Sequence, residues 1–110
     1  MMLEDCTSTN ATVLENCWIS GTGVLLDLES KQLELREPVY ICWQQLPGGF
    51  LIECATFEEY GWGATYGEAL ADLRSSIVEL YFVLKKRLDR LGKPLWDLWK
   101  RYQEYTAEGG

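Results

Sequence analysis

A hairpin followed by one capped amphipathic helix, between Val39 and Leu91, constrains this chain more than any other feature. Val39, Ile41 and Trp43 alternate with Tyr40, Cys42 and Gln44, and Phe50, Ile52 and Cys54 alternate with Leu51, Glu53 and Ala55. Alternation with period two is the mark of strands with one covered face. Between the two runs, Leu46-Pro47-Gly48-Gly49 supplies a proline to fix φ and glycine to accept positive φ, so the pair reads as a hairpin. The segment EEYGWGA, residues 58–64, then reads as a glycine-punctuated loop.

Thr65 and Glu68 have the spacing of a capping box, in which the threonine hydroxyl and the glutamate carboxylate each take a backbone N–H. Leu70, Leu73, Ile77, Leu80, Leu84, Leu88 and Leu91 follow at steps of three or four and line one helical stripe. Gly92 is placed to stop this helix, with Pro94 beyond it. A helix from Thr65 to Leu91 is on the order of 40 Å long, against roughly 17–20 Å for a common strand. Its second half overhangs any sheet it packs on, and the overhanging leucines need a cover. Pro94 suits the first turn of a second helix, whose Leu95, Leu98, Trp99, Tyr102 and Tyr105 either fold back on the overhang or meet another subunit. The tail, AEGG, reads as frayed.

Upstream, Val13-Leu14 and Cys17-Trp18-Ile19 are short apolar pieces. Ser20-Gly21-Thr22-Gly23 is a turn signal, Val24 to Leu28 a strand, and Glu29 to Gln32 a second turn. Leu33 and Leu35 alternate with charged residues, and Pro38 places the following junction at a sheet edge or a strand start. A chain of 110 residues with these elements is one α+β domain. The expected architecture is an antiparallel sheet of about four to five strands packed on one long helix, with a short C-terminal helix. Residues 1–11 form a flexible start, residues 12–110 the domain, and residues 39–91 its core.

Composition narrows function by exclusion. The chain has no histidine, which removes Ser-His-Asp and Cys-His nucleophile systems and His-based metal motifs. Cys6, Cys17, Cys42 and Cys54 lie far apart with no C-x-x-C pair, so they read as reduced and structural rather than as zinc ligands. Asp27, Glu53, Glu58, Glu59 and Asp72 are the carboxylates available to a metal-dependent nuclease, but nothing in their spacing demands one. Gly61-Trp62-Gly63 fits neither dinucleotide nor P-loop spacing and reads as a close-packed loop with Trp62 presented outward. No metal, cofactor or catalytic residue is assigned.

Charge is uneven within a net of −7. Through Tyr60 there are ten acidic residues against two basic ones, and from Lys85 to Arg101 seven basic against two acidic. The acidic part favours a basic partner. The C-terminal mixture of Trp96, Trp99, Tyr102 and Tyr105 with Lys100 and Arg101 reads first as packing, and second as a surface for nucleic acid. The start of the chain has acidic residues where a secretory signal carries positive charge, which places the protein in the cytoplasm. No run approaches the roughly 18 apolar residues of a membrane span.

On these residues, Val39 to Leu84 resembles the HicB-like antitoxin family. Gly48-Gly49-Phe50 matches its hairpin turn, Gly61, Gly63 and Thr65 its helix entry, Glu68-Ala69-Leu70 its EAL core, and Ile77 lies near its AI position. The resemblance implies a small α+β domain with a partial RNase-H-like arrangement and no catalytic carboxylates. It implies a protein that neutralises a small basic ribonuclease toxin and forms dimers or larger oligomers. The chain departs from the pattern in having Thr56-Phe57-Glu58-Glu59 in place of the proline after the second strand, and in its additional N-terminal forty residues. Residues 85–110 are too short for the DNA-binding segment that many members carry.

The expected function is thus a non-enzymatic, antitoxin-type or regulatory interaction module. Glu58, Glu59, Tyr60, Trp62 and Tyr66 are the expected partner contacts, with the two glutamates steering. Leu84, Leu88, Leu91, Trp96 and Trp99 are the expected homo-oligomer interface. The alternative is a nucleic-acid-binding regulator acting through the basic helices, residues 85–101, followed by a metal-dependent nuclease.

Overall fold

The computed structural model describes residues 19–109. The expected flexible start and the Val13-Leu14 and Cys17-Trp18 pieces lie outside the described residues. The elements run β1 (Ile19–Leu25), β2 (Leu33–Leu35), β3 (Val39–Leu46), β4 (Gly49–Cys54), β5 (Glu59–Gly63), α1 (Tyr66–Lys85), a 3-10 turn (Leu88–Arg90), α2 (Lys93–Tyr105) and β6 (Thr106–Glu108). Four strands form one antiparallel sheet in the order β1-β3-β4-β5, and β2 pairs with β6 in a second, two-stranded sheet. The α+β architecture read from the sequence, four strands against one long helix with a shorter helix after it, is the one observed.

The hairpin forms where the alternation places it. Leu46 faces Gly49 across a two-residue loop, and Gly48 has φ 95°, which a side chain would resist. Residues directly opposite in an antiparallel ladder share a face. One face therefore carries Leu25, Val39, Ile41, Ile52 and Cys54, all buried, and α1 covers it with Ala69, Leu73, Ile77, Tyr81 and Leu84.

Four expectations are corrected. Ser20-Gly21-Thr22-Gly23 is no turn but the middle of β1, which ends at Leu25 rather than starting at Val24. Gly21 lies under the Trp43 indole, where a Cβ would stand 2.8 Å from the ring, so this glycine answers a packing need. The Glu58–Ala64 loop is, from Glu59 to Gly63, the edge strand β5. Its glycines, Gly61 and Gly63, serve no bend: both face α1 at a distance that admits no side chain.

The long helix is the third correction. Thr65 is its N-cap as expected: its hydroxyl accepts the Glu68 N–H at 3.1 Å, and Glu68 in turn accepts the Ala64 N–H at 3.0 Å. The helix stops at Lys85, however, after 20 residues, or about 30 Å. Leu84 is the last fully buried side chain of the stripe, and Leu91, beyond the helix, packs partly buried against the same core. Beyond it the chain turns through Leu88–Arg90, and Gly92 caps the start of α2 instead of ending α1. Fourth, the tail is ordered: Thr106–Glu108 pairs with β2, and the Gly109 N–H donates to Gln32 O at 3.0 Å.

What replaces the overhang is α2, folded back against α1. Tyr102 is fully buried, stacks on Phe57 with ring centres 4.6 Å apart, and donates its hydroxyl to Ile77 O at 2.7 Å. Leu98 and Trp99 are buried beside it, and the Trp99 ring lies 5.1 Å from that of Tyr81. Among the described residues no helix is long and apolar enough to cross a membrane.

Candidate interaction surface

Among the described residues the sheet has one covered face and one open one. On the open face the register sets Val24 beside Tyr40, then Thr22, Cys42, Glu53 and Tyr60 in one row across all four strands, then Ser20, Gln44, Leu51 and Trp62 in the next. Tyr40 is 74% exposed, Tyr60 54% and Trp62 48%. Each of these aromatic rings would be expected in a core on transfer energy alone. Each is instead held out on a pleated, hydrogen-bonded platform.

Trp62 is held there by local geometry. Gly61 and Gly63 on either side point at α1, so strand alternation sends Trp62 to the other face. Its indole lies against Gly49, where a Cβ would approach the ring to 3.0 Å. Its backbone N–H donates to the Asp72 carboxylate on α1 at 3.0 Å. The sheet edge, the helix and the indole are thus fixed as one unit.

The five expected partner contacts do not form one patch. Tyr60 and Trp62 share the open face. Tyr66 lies on the covered side, edge-on to Trp43 and Phe50 at ring distances of 6.1 and 6.0 Å. Glu59 also points to the covered side, opposite Cys54. There, burial raises its carboxyl above the ordinary range, and Glu79 and Asp72 add to the rise. Glu58 occupies the tight turn before β5 with φ 53° and accepts a hydrogen bond from Arg101 at 2.6 Å, which ties α2 to the sheet. Sequence reading missed Tyr40 and Val24; their positions in alternating runs carried the signal, but which parity faced outward was not legible.

The other expected sites resolve as follows. Leu84 and Trp99 are buried in the chain's own core, which leaves Leu88, Leu91 and Trp96 of the proposed oligomer interface at or near the surface. Asp27 pairs with Arg74, Glu58 with Arg101, and Asp72 seals the β5 edge. The carboxylates considered for a metal are thereby dispersed, and no group of three or more acidic or cysteine side chains among the described residues is placed to hold an ion. At the basic end, Lys85 pairs with Glu108 and Lys93 with Asp97. Lys86, Arg87 and Lys100 have no ion-pair partner among the described residues.

Cys54 is a buried free thiol, as expected of a small hydrophobe in a strand. Burial raises its pKa and keeps it protonated. Cys42, on the open face, is disulfide-bonded, which corrects the expectation that the cysteines are reduced. No family model, no curated protein and no solved structure matches this chain.

Proposed function

We propose that the chain is a non-enzymatic interaction module that takes a protein partner on the open face of its sheet. The observation that carries this reading is the placement of Tyr40, Tyr60 and Trp62 in water on one rigid face, while α1 closes the other. Exposed tyrosine and tryptophan on a fixed backbone are the side chains that contribute most when an interface forms, because they bury large area with little entropy to lose. A net charge of −7, with Glu53 between the aromatics, suits a basic partner. The HicB-like resemblance of Val39 to Leu84 supports the same class, an antitoxin-type or regulatory protein acting on a small basic protein. The chain acts as a homodimer or larger oligomer.

The test is co-expression with the product of an adjacent small basic reading frame, followed by titration of the purified pair. Tyr40→Ala and Trp62→Ala each weaken that complex at least about tenfold, as expected for interface anchors. Tyr66→Ala, on the covered side, does not act through contact with the partner. Unchanged affinity in both anchor variants would overturn the reading.

We propose that the chain works in the cytoplasm. Disulfides persist where the surroundings oxidise, so the Cys42 bond bears on this. Fractionation followed by alkylation of free thiols separates a cytoplasmic pool with Cys42 reduced from an exported pool with it bonded.

A further inference from the structure

The two edges of the main sheet are built differently. At β5 the helix seals the edge: Asp72 accepts the Trp62 N–H and Glu68 the Ala64 N–H, each at 3.0 Å, and Gly61 and Gly63 are pressed against α1. From Ser20 to Leu25 in β1 nothing comparable exists among the described residues. Among the described residues, Ser20 to Leu25 pair only with β3, in an unbroken one-to-one register. The outward backbone groups of Ser20 to Leu25 therefore have no partner among the described residues. Edges that must stay unpaired carry a charge, a proline or a bulge. β1, with the sequence ISGTGVL, has none of the three. Trp43 covers Gly21 from the neighbouring strand, so the glycine does not break the ladder.

We propose that the β1 edge is a self-pairing surface, on which β1 of a second copy of this chain adds antiparallel and joins the two four-stranded sheets into one. Self-pairing favours the second copy over a foreign strand because a two-fold contact repeats every bond it makes. An uncharged strand also opposes no like charges in any register, although each copy is strongly acidic overall. With the two-fold axis near Thr22, Val24 of one copy lies opposite Ser20 of the other. Val24, 48% exposed in the single chain, then gains a neighbour. The axis stands perpendicular to the sheet, so both open faces look the same way and their Tyr40 and Trp62 side chains form one wider platform. The inference concerns the edge and not the face, and stands whether or not the platform takes the partner proposed above.

Sedimentation equilibrium on the full chain tests it, with Thr22→Lys and Val24→Lys as edge variants and the double variant L88D/W96D as control for the helical end. Both Thr22 and Val24 are exposed on the open face, so lysine is accommodated within one chain. The wild type is expected to dimerise. The edge variants become monomers with wild-type circular dichroism, and L88D/W96D remains a dimer. Hydrogen exchange on the wild type gives a readout free of any folding defect: β1 amides lose protection on dilution through the dissociation range. A wild type that is monomeric at every concentration would overturn the proposal. So would dimers that survive both edge variants, dissociation by L88D/W96D instead, or β1 protection that does not depend on concentration.

Discussion

A Cβ placed on Gly61 would stand 2.2 Å from the carbonyl oxygen of Ala69. The atom it meets is backbone, and so is Leu73 N at 2.5 Å, so neither can rotate away. Glycine at this position lets β5 and α1 approach to backbone contact, which in turn lets Asp72 reach the Trp62 N–H. Gly61→Ala is therefore expected to lower stability by about 3 kcal/mol, the upper part of the range for overpacking a tight contact. Gly63→Ala, whose Cβ would stand 2.5 Å from Ala69 N, follows the same course. Urea midpoints measure both. A cost under about 1 kcal/mol in each would show that helix and strand are not locked at this separation.

Gly67 gives the opposite sign. It sits in the first turn of α1 with open space around it, the nearest atom to a built Cβ being the Thr65 hydroxyl oxygen at 4.0 Å. Its φ is not positive, so an alanine is accommodated without strain. Gly67→Ala is expected to raise stability by roughly 0.5–1 kcal/mol through the lower entropy of the unfolded chain. Two glycine-to-alanine changes six residues apart, with opposite shifts in thermal midpoint, make a compact check of the site's geometry.

These glycines also show what the sequence could and could not convey. The hairpin, the Thr65 cap and the face of α1 were legible because each is written in local signals: alternation, turn residues and a capping box. Gly21, Gly61 and Gly63 were misread as turn and loop because glycine marks both a bend and a close approach, and only the neighbouring element tells which. The end of α1 was misread because the leucine stripe continues past Lys85, although Leu88 and Leu91 serve the reversal of the chain and not the helix. Strand β6 was missed because Thr106–Glu108 is short, and its pairing with Leu33–Leu35 is a contact across some seventy residues. Of the candidate surface, Tyr60 and Trp62 were found and Tyr40 was not. Alternation reveals that a strand has two faces but not which of them the helix will cover.

Tyr102 fixes α2 to the rest of the fold in two separable ways. Its ring stacks on Phe57 in the core, and its hydroxyl satisfies the carbonyl of Ile77 at 2.7 Å. Tyr102→Phe keeps the ring and leaves that carbonyl without this donor, a loss of about 1 kcal/mol. Tyr102→Ala removes both and leaves a cavity, for about 3–5 kcal/mol. Denaturant unfolding of the two variants measures the pair. If phenylalanine were as costly as alanine, the hydrogen bond and not the stack would be the chief attachment of the C-terminal helix.

Alkaline pH tests the same region by a different route. Burial, together with the hydrogen bond to Glu108 and that residue's charge, raises the Tyr81 hydroxyl from 10.0 to about 12. Burial raises Tyr102 further still. A raised pKa means that the folded chain holds the proton more tightly than the unfolded one. Below pH 10 both states are protonated and the stabilising difference is complete. Above it the unfolded chain ionises first, and stability falls as the pH climbs toward the folded value near 12. Tyr81→Phe removes one of the two titrating groups, so its stability declines less steeply with pH across this window, although it starts lower for want of the Glu108 contact. Tyrosinate absorbance followed beside urea unfolding at each pH reads both quantities. Ionisation of all tyrosines near pH 10 with the protein still folded would show that neither hydroxyl is held in the core as described.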